Sequence, residues 1–215
     1  MTQLKTAFTA FLLLLTITAC NTGSENKGSG NKEAQKAPAA PAADEYLTGR
    51  SAYQKLFIAS RGFAPDIKPY RLESRYTPGA PVQEGKAGVW TAQFASATRG
   101  GLKAYTWSGV NSQDAPERGI TPGTEDTYNP SNTSTQVFDN AFLKVDSDKA
   151  FEVAQEHGGA KLMKEDPKQP VRFLLYFDNK AHQLAWHVIY GNSVDDAKLR
   201  VAVDATSGAY LRTEH

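Results

Sequence analysis

The stretch Leu184–Leu211, LAWHVIYGNSVDDAKLRVAVDATSGAYL, decides the fold class. Leu184, Trp186 and Val188 alternate with Ala185, His187 and Ile189. Beyond a polar turn, Leu199, Val201 and Val203 alternate with Arg200, Ala202 and Asp204. β-Branched and aromatic residues at period two predict half-buried antiparallel strands. A second turn, Asp204-Ala205-Thr206-Ser207-Gly208, pairs an Asp that can accept bonds from its own backbone with a Gly free to take positive φ. The stretch reads as two strands and the start of a third.

Working upstream, Val171, Phe173, Leu175 and Phe177 alternate with Arg172, Leu174 and Tyr176 as another strand, and Asp178-Asn179-Lys180 turns the chain. Asp146-Ser147-Asp148 is a helix start, since each residue can cap and the acidic pair suits the positive end of the helix dipole. Ala150, Val153, Ala154 and His157 follow at helical spacing, and Gly158-Gly159 is expected to end the helix. Val137 to Val145 is read as a strand ahead of it.

The same order precedes this in residues 45–110. Thr48 can cap a helix bearing Tyr53, Leu56, Phe57 and Ser60, with Gly62 as its stop. Tyr70–Tyr76, Val89–Ala95 and Leu102–Trp107 alternate as three strands, the last two joined at Arg99-Gly100-Gly101. Residues 111–136 are rich in Asp, Asn, Pro, Ser, Thr and Gly without periodicity and are expected to be a long polar loop. The two stretches correspond in order and spacing: Ser51-Ala52-Tyr53 with Lys149-Ala150-Phe151, Trp90 with Trp186, and Trp107-Ser108-Gly109 with Thr206-Ser207-Gly208.

The residues Ala150 and Ala154, Leu184-Ala185-Trp186-His187-Val188 and Val203-Asp204-Ala205-Thr206-Ser207-Gly208 resemble a PepSY domain, the module of thermolysin-like protease propeptides and of many bacterial envelope proteins. The likeness covers about the last 70 residues well. The first unit shares it loosely, because Trp107-Ser108-Gly109 lacks the preceding Val-Asp-Ala. The resemblance implies a helix packed on an antiparallel sheet and a role in restraining or chaperoning peptidases. Paired units of this kind are also similar in architecture to β-lactamase inhibitory protein. The expected fold is therefore α+β, with two tandem units of helix on sheet at 45–110 and 137–215.

The N-terminus states an address. Lys5 precedes an apolar run from Ala7 to Ala19, too short to span a bilayer, which needs about 20 residues. This is the pattern of a secretory signal peptide, 1–19. Ile17-Thr18-Ala19-Cys20 resembles the bacterial lipobox, which implies lipidation at Cys20 and a membrane anchor. Asn21 in place of Asp fits outer-membrane sorting, facing the periplasm, in a host with two membranes; with one, the anchor lies on the outer face of the cytoplasmic membrane. Residues 20–44 continue as a Gly, Ser, Lys, Ala and Pro linker with no aromatic residue and no Leu, Ile or Val, expected to be disordered.

Composition narrows the chemistry. With 24 basic and 23 acidic residues, a net charge of +1 gives no electrostatic basis for nucleic-acid binding. A single cysteine excludes a disulfide within the chain and any multi-thiolate metal site. There is no HExxH, no GxSxG and no phosphate-binding glycine loop. His182 and His187 are at odd spacing in a strand region and so point to opposite faces. Asp195-Asp196 and Glu125-Asp126 read as solvated turns. The expectation is no catalysis, no cofactor and no metal.

What remains is a surface. If Leu199, Val201 and Val203 face the helix, the opposite parity places Leu174, Tyr176, His187, Ile189 and Arg200 on the open face of the second unit. Carried into the first unit, it places Thr91, Gln93, Lys103, Tyr105 and Trp107 there as well. Tyr105, Trp107, Tyr176, His187, Ile189 and Arg200 are the candidate partner-binding residues, because Tyr, Trp and Arg dominate protein interfaces. The expected function is a lipid-anchored envelope protein that binds a protein, such as a peptidase it restrains; the alternative is a structural or assembly lipoprotein of an envelope complex.

Overall fold

A computed structural model describes residues 43–132 and 136–214. Its elements run α1 (Gly49–Ser60), β1 (Lys68–Ser74), β2 (Val89–Ser96), β3 (Gly101–Ser108), β4 (Gly119–Thr127), α2 (Ser147–Ala154), α3 (Ala160–Glu165), β5 (Val171–Asp178), β6 (Gln183–Tyr190), β7 (Leu199–Asp204) and β8 (Tyr210–Glu214). The class is α+β, as expected. The strands form one antiparallel sheet of eight in the order β4-β3-β2-β1-β5-β6-β7-β8. The two stretches read from sequence thus share a single sheet, joined where Arg71, Leu72 and Glu73 of β1 pair with Tyr176, Leu175 and Leu174 of β5.

The helices cover one face. Ala52, Tyr53 and Leu56 of α1 and Ala150, Val153 and Ala154 of α2 are buried against Leu72, Trp90, Phe94, Phe173, Leu175, Trp186, Val188, Val201 and Val203. At the centre the rings of Trp90 and Trp186 meet edge to face, 6.3 Å apart at 73°. A buried indole N–H must find an acceptor. Trp90 Nε1 donates to Leu47 O and Trp186 Nε1 to Val145 O, both at 2.9 Å. Leu47 and Val145 each lie one residue before the N-cap of α1 and α2, so each tryptophan fixes the start of its own helix. Gly49 is required at this contact, since a Cβ there would lie 2.4 Å from Cη2 of Trp186.

The two helix N-termini are capped together. Thr48 makes no side-chain cap bond. Instead Arg50 N donates to Asp146 Oδ1 at 2.8 Å and Gly49 N to Ser147 Oγ at 2.8 Å, while Asp146 Oδ1 also accepts from Ser147 N at 2.7 Å. One carboxylate therefore serves orphan N–H groups at the starts of α1 and α2. Asp146→Ala should cost about 2 kcal/mol, read as a lower urea midpoint, whereas Asp146→Asn, which keeps the acceptor oxygen, should retain most of it. Equal losses for both would show that the oxygen is not what matters.

Three sequence expectations are corrected. Residues 111–136 contain β4, whose residues are exposed apart from half-buried Gly119 and which lies at the sheet edge against β3, with Ser108 opposite Gly119 and Gly101 opposite Thr127. A strand with no buried face has no hydrophobic alternation to betray it; its backbone ladder and the two bonds from Arg99 to the Glu125 carboxylate hold it, and Pro122 is tolerated because the outer edge is unpaired. Residues 137–145 form no strand. A 3-10 turn at Asn140–Phe142, capped by Asp139, sits there, with Phe138 and Leu143 buried in the core. Gly158-Gly159 does not end the helical segment. Gln155–Gly159 make a π-type bulge, with Gly158 at φ +109, and α3 continues beyond it. The bulge carries the chain over Tyr190, whose hydroxyl would lie 1.9 Å from a Cβ on Gly159 and accepts from Gln155 Nε2 at 2.7 Å.

The turn chemistry follows the sequence. Asp204 Oδ1 accepts from Thr206 N and Ser207 N, and Gly208 takes φ +79. Its supposed counterpart Trp107-Ser108-Gly109 is not equivalent to it: Trp90 pairs with Trp107 as Trp186 pairs with Val203, so Trp107 corresponds to Val203.

Candidate functional site

Register settles which side chains share the face away from the helices. Cross-strand partners point the same way. Glu73 lies opposite Leu174 and Arg71 opposite Tyr176; Leu174 is opposite His187, Arg172 opposite Ile189, and Ile189 opposite Arg200. Arg200 faces Glu214 and Ala202 faces Arg212 on β8. Tyr176, His187, Ile189 and Arg200 are therefore on the expected face. Tyr105 and Trp107 are not. Trp90 is opposite Trp107 and Ala92 opposite Tyr105, so both lie under α1, with 7% and 4% of their surface exposed. Tyr105 meets Phe94 edge to face at 6.2 Å. The residues of β3 that join Thr91 and Gln93 are Thr106 and Ala104. A one-residue shift exchanges the faces of a whole strand, and the signal was in β3 itself, where Tyr105 and Trp107 alternate with Ala104 and Thr106 as the apolar, core-facing parity.

The face carries an ion-pair network centred on β5 to β8. Arg71 Nη2 donates to Glu73 Oε2 at 2.9 Å, and Arg172 approaches the same oxygen at 3.6 Å. Arg212 donates Nη2 to Asp178 Oδ2 at 2.5 Å and Nε to Glu214 Oε1 at 2.6 Å; Arg200 pairs with Glu214 Oε2. Lys180 reaches Glu214 at 3.6 Å. Arg71, Arg172 and Arg212 were not among the sequence candidates. Arg71 and Arg172 stand at the polar parity of their strands, but their neighbourhood arises only through the β1–β5 pairing.

Beneath this network lies His187, fully buried, with its ring stacked on Tyr176 at 4.5 Å and 10°. Neither ring nitrogen has a hydrogen-bond partner. Nε2 stands 3.4 Å from Asp178 Oδ2, which Arg212 already engages. Burial is the main cause that lowers the His187 pKa to about 4; Asp178 opposes this, and Arg212, Arg200 and Lys180 add to it. Burial pulls Asp178 upward, but the Arg212 bond and the N–H groups of Lys180 and Ala181 outweigh it and hold the carboxyl below its ordinary value. Burial likewise raises the Tyr176 hydroxyl. Ile189 is also buried, in register between Arg172 and Arg200, so only Tyr176 and Arg200 of the original six are partly exposed on this face.

No group of three or more His, Cys, Asp or Glu that could hold a metal occurs among the described residues. Cys20 lies outside the described residues, as do the signal peptide and most of the linker. No protein-family model matches the chain, and comparison with curated proteins finds no significant match. Among solved structures, the chain is similar to a "putative lipoprotein" from Clostridium difficile 630, at 12% sequence identity, covering 76% of this chain and 91% of that one, with a TM-score of 0.47. The site is therefore read from its own chemistry.

Proposed function

We propose that this chain is a lipid-anchored, non-enzymatic envelope protein with two PepSY-like units, and that it binds a protein partner, such as a peptidase it restrains, through the sheet face opposite its helices. One observation carries the reading: α1 and α2 pack on a single face, and the other presents Tyr176 amid arginines. Arginine and tyrosine are residue types that anchor interfaces. The motif residues around Trp186 and Asp204, and the matching way Trp90 and Trp186 fix their helices, support the PepSY-like part.

Crosslinking on intact membranes followed by capture tests the partner. Recovery of an exported peptidase, lost in Tyr176→Ala, supports the reading; recovery of structural envelope proteins alone points to a scaffold instead. Anchoring has a separate test. Cys20→Ser should move the protein from the membrane to the soluble fraction, because a bound acyl chain contributes about 0.8 kcal/mol per buried CH₂. Persistent membrane association of that variant would refute lipidation.

A further inference from the structure

A cavity of about 300 Å³ opens on the face away from the helices, walled by Leu174 and Tyr176, flanked by Arg71 and Arg200, and bordered by Val194 of the β6–β7 loop. Its lining carries two arginines and no Asp or Glu, within a wider face of ion pairs. Glu73 serves Arg71 and Arg172, Glu214 serves Arg200, Arg212 and Lys180, and Asp178 serves Arg212, so five cations share three carboxylates. Asp195 and Asp196 of the loop do not line the cavity, and Asp196 accepts from Ser193 instead. The Nε atoms of Arg71 and Arg200 are both buried without a hydrogen-bond partner. Both Nε atoms are closed to solvent, so a ligand in the cavity meets the partly exposed remainder of each side chain.

We propose that this cavity binds a peptide carboxylate, clamped between Arg71 and Arg200 with the adjoining residue against Tyr176 and Leu174. This rests on the reading of the face as a protein-binding surface and names what that surface would recognise. A guanidinium offers a planar fork of donors that a carboxylate matches in two parallel bonds. The apolar walls suit a neighbouring apolar or aromatic side chain. Two sources of the same group remain, an Asp or Glu side chain and a peptide C-terminus, and the experiment separates them.

The full-length chain in detergent, with arginine side chains ¹⁵N-labelled, is titrated with three short peptides. One has an internal Glu and blocked ends, one has Gln in its place with blocked ends, and one has Gln and a free C-terminal carboxylate. Saturable shifts of the Arg71 and Arg200 Nε resonances with either carboxylate peptide, and none with the blocked Gln peptide, are expected. The peptide that works identifies the source. Arg71→Gln and Arg200→Gln should each weaken binding about tenfold or more. Each variant leaves its carboxylate a second cation, Arg172 for Glu73 and Arg212 for Glu214, so the fold should survive. If one does not fold, Arg→Lys at that position keeps the charge without the fork and serves in its place. Equal binding of the blocked Gln peptide, no binding of either carboxylate peptide, or unchanged affinity in the variants would overturn the proposal. Partner capture that persists in both arginine variants but is lost in Tyr176→Ala would overturn the carboxylate site while leaving the binding face intact.

Discussion

Replacing Trp107 by Ala should destabilise the protein by about 3–5 kcal/mol, the cost of removing a large side chain from a packed core. Trp107 is 4% exposed, sits opposite Trp90 across the β2–β3 pair, and carries Lys55 Nζ over its ring at 5.9 Å. Its indole also lies against Gly109, where a Cβ would approach Cη2 to 2.5 Å. Urea unfolding is the measurement, with Gln93→Ala on the opposite face as the comparison, expected to change stability by less than about 0.5 kcal/mol. Any loss of partner capture in Trp107→Ala should then track the loss of folded protein. A Trp107→Ala protein with a wild-type midpoint and abolished capture would mean that the register of β3 is wrong and that the ring belongs to the binding face after all.

Acid should unfold this protein through His187. Its folded pKa of about 4 lies below the ordinary 6.5, so between these values the unfolded chain binds a proton that the folded chain refuses. Stability is then fully present above pH 6.5, falls as pH falls toward 4, and levels off below. Each pH unit of that window is worth about 1.4 kcal/mol, for a total of about 3 kcal/mol. Asp178, held below its ordinary 3.8, adds a second loss that begins only where the first ends. His187→Phe keeps a ring under Tyr176 and removes the two unpaired nitrogens. It should abolish the loss between pH 6.5 and 4 while leaving neutral stability equal or higher by about 1 kcal/mol. Thermal melts of the unmodified protein and of His187→Phe across that range are the measurement, and an unchanged acid slope in His187→Phe would place the titrating group elsewhere.

The same residue shows what sequence can and cannot reveal. His187 alternates with Trp186 and Val188 and was expected on the open side, where it lies. That it is buried depends on Tyr176 stacking over it and on Arg212 and Asp178 closing around it, from strands β5 and β8. Side-chain parity within one strand is a local property of the pleat. What lies above that side chain is decided by partners distant in the chain.

By itself the sequence determined the α+β class, the Asp146 start of α2 and six strands close to their observed positions; α1 begins at the expected Thr48, but its capping acceptors are Asp146 and Ser147, from across the fold. It also determined the Asp204–Gly208 turn and the face of β5 to β7, because capping groups, turn residues and period-two alternation act over a few residues. Only the tertiary structure decided the rest. β4 was invisible because a solvated edge strand has no apolar period. Tyr105 and Trp107 share an apolar parity against Ala104 and Thr106 that β3 itself displays, but pairing with Ala92 and Trp90 is what places that parity under α1. The joining of the two halves into one sheet, and with it the approach of Arg71 to Tyr176, arises from β1–β5 hydrogen bonds between segments about 100 residues apart. The candidate site lies beside that joint, where local rules are silent and packing alone brings the charges together.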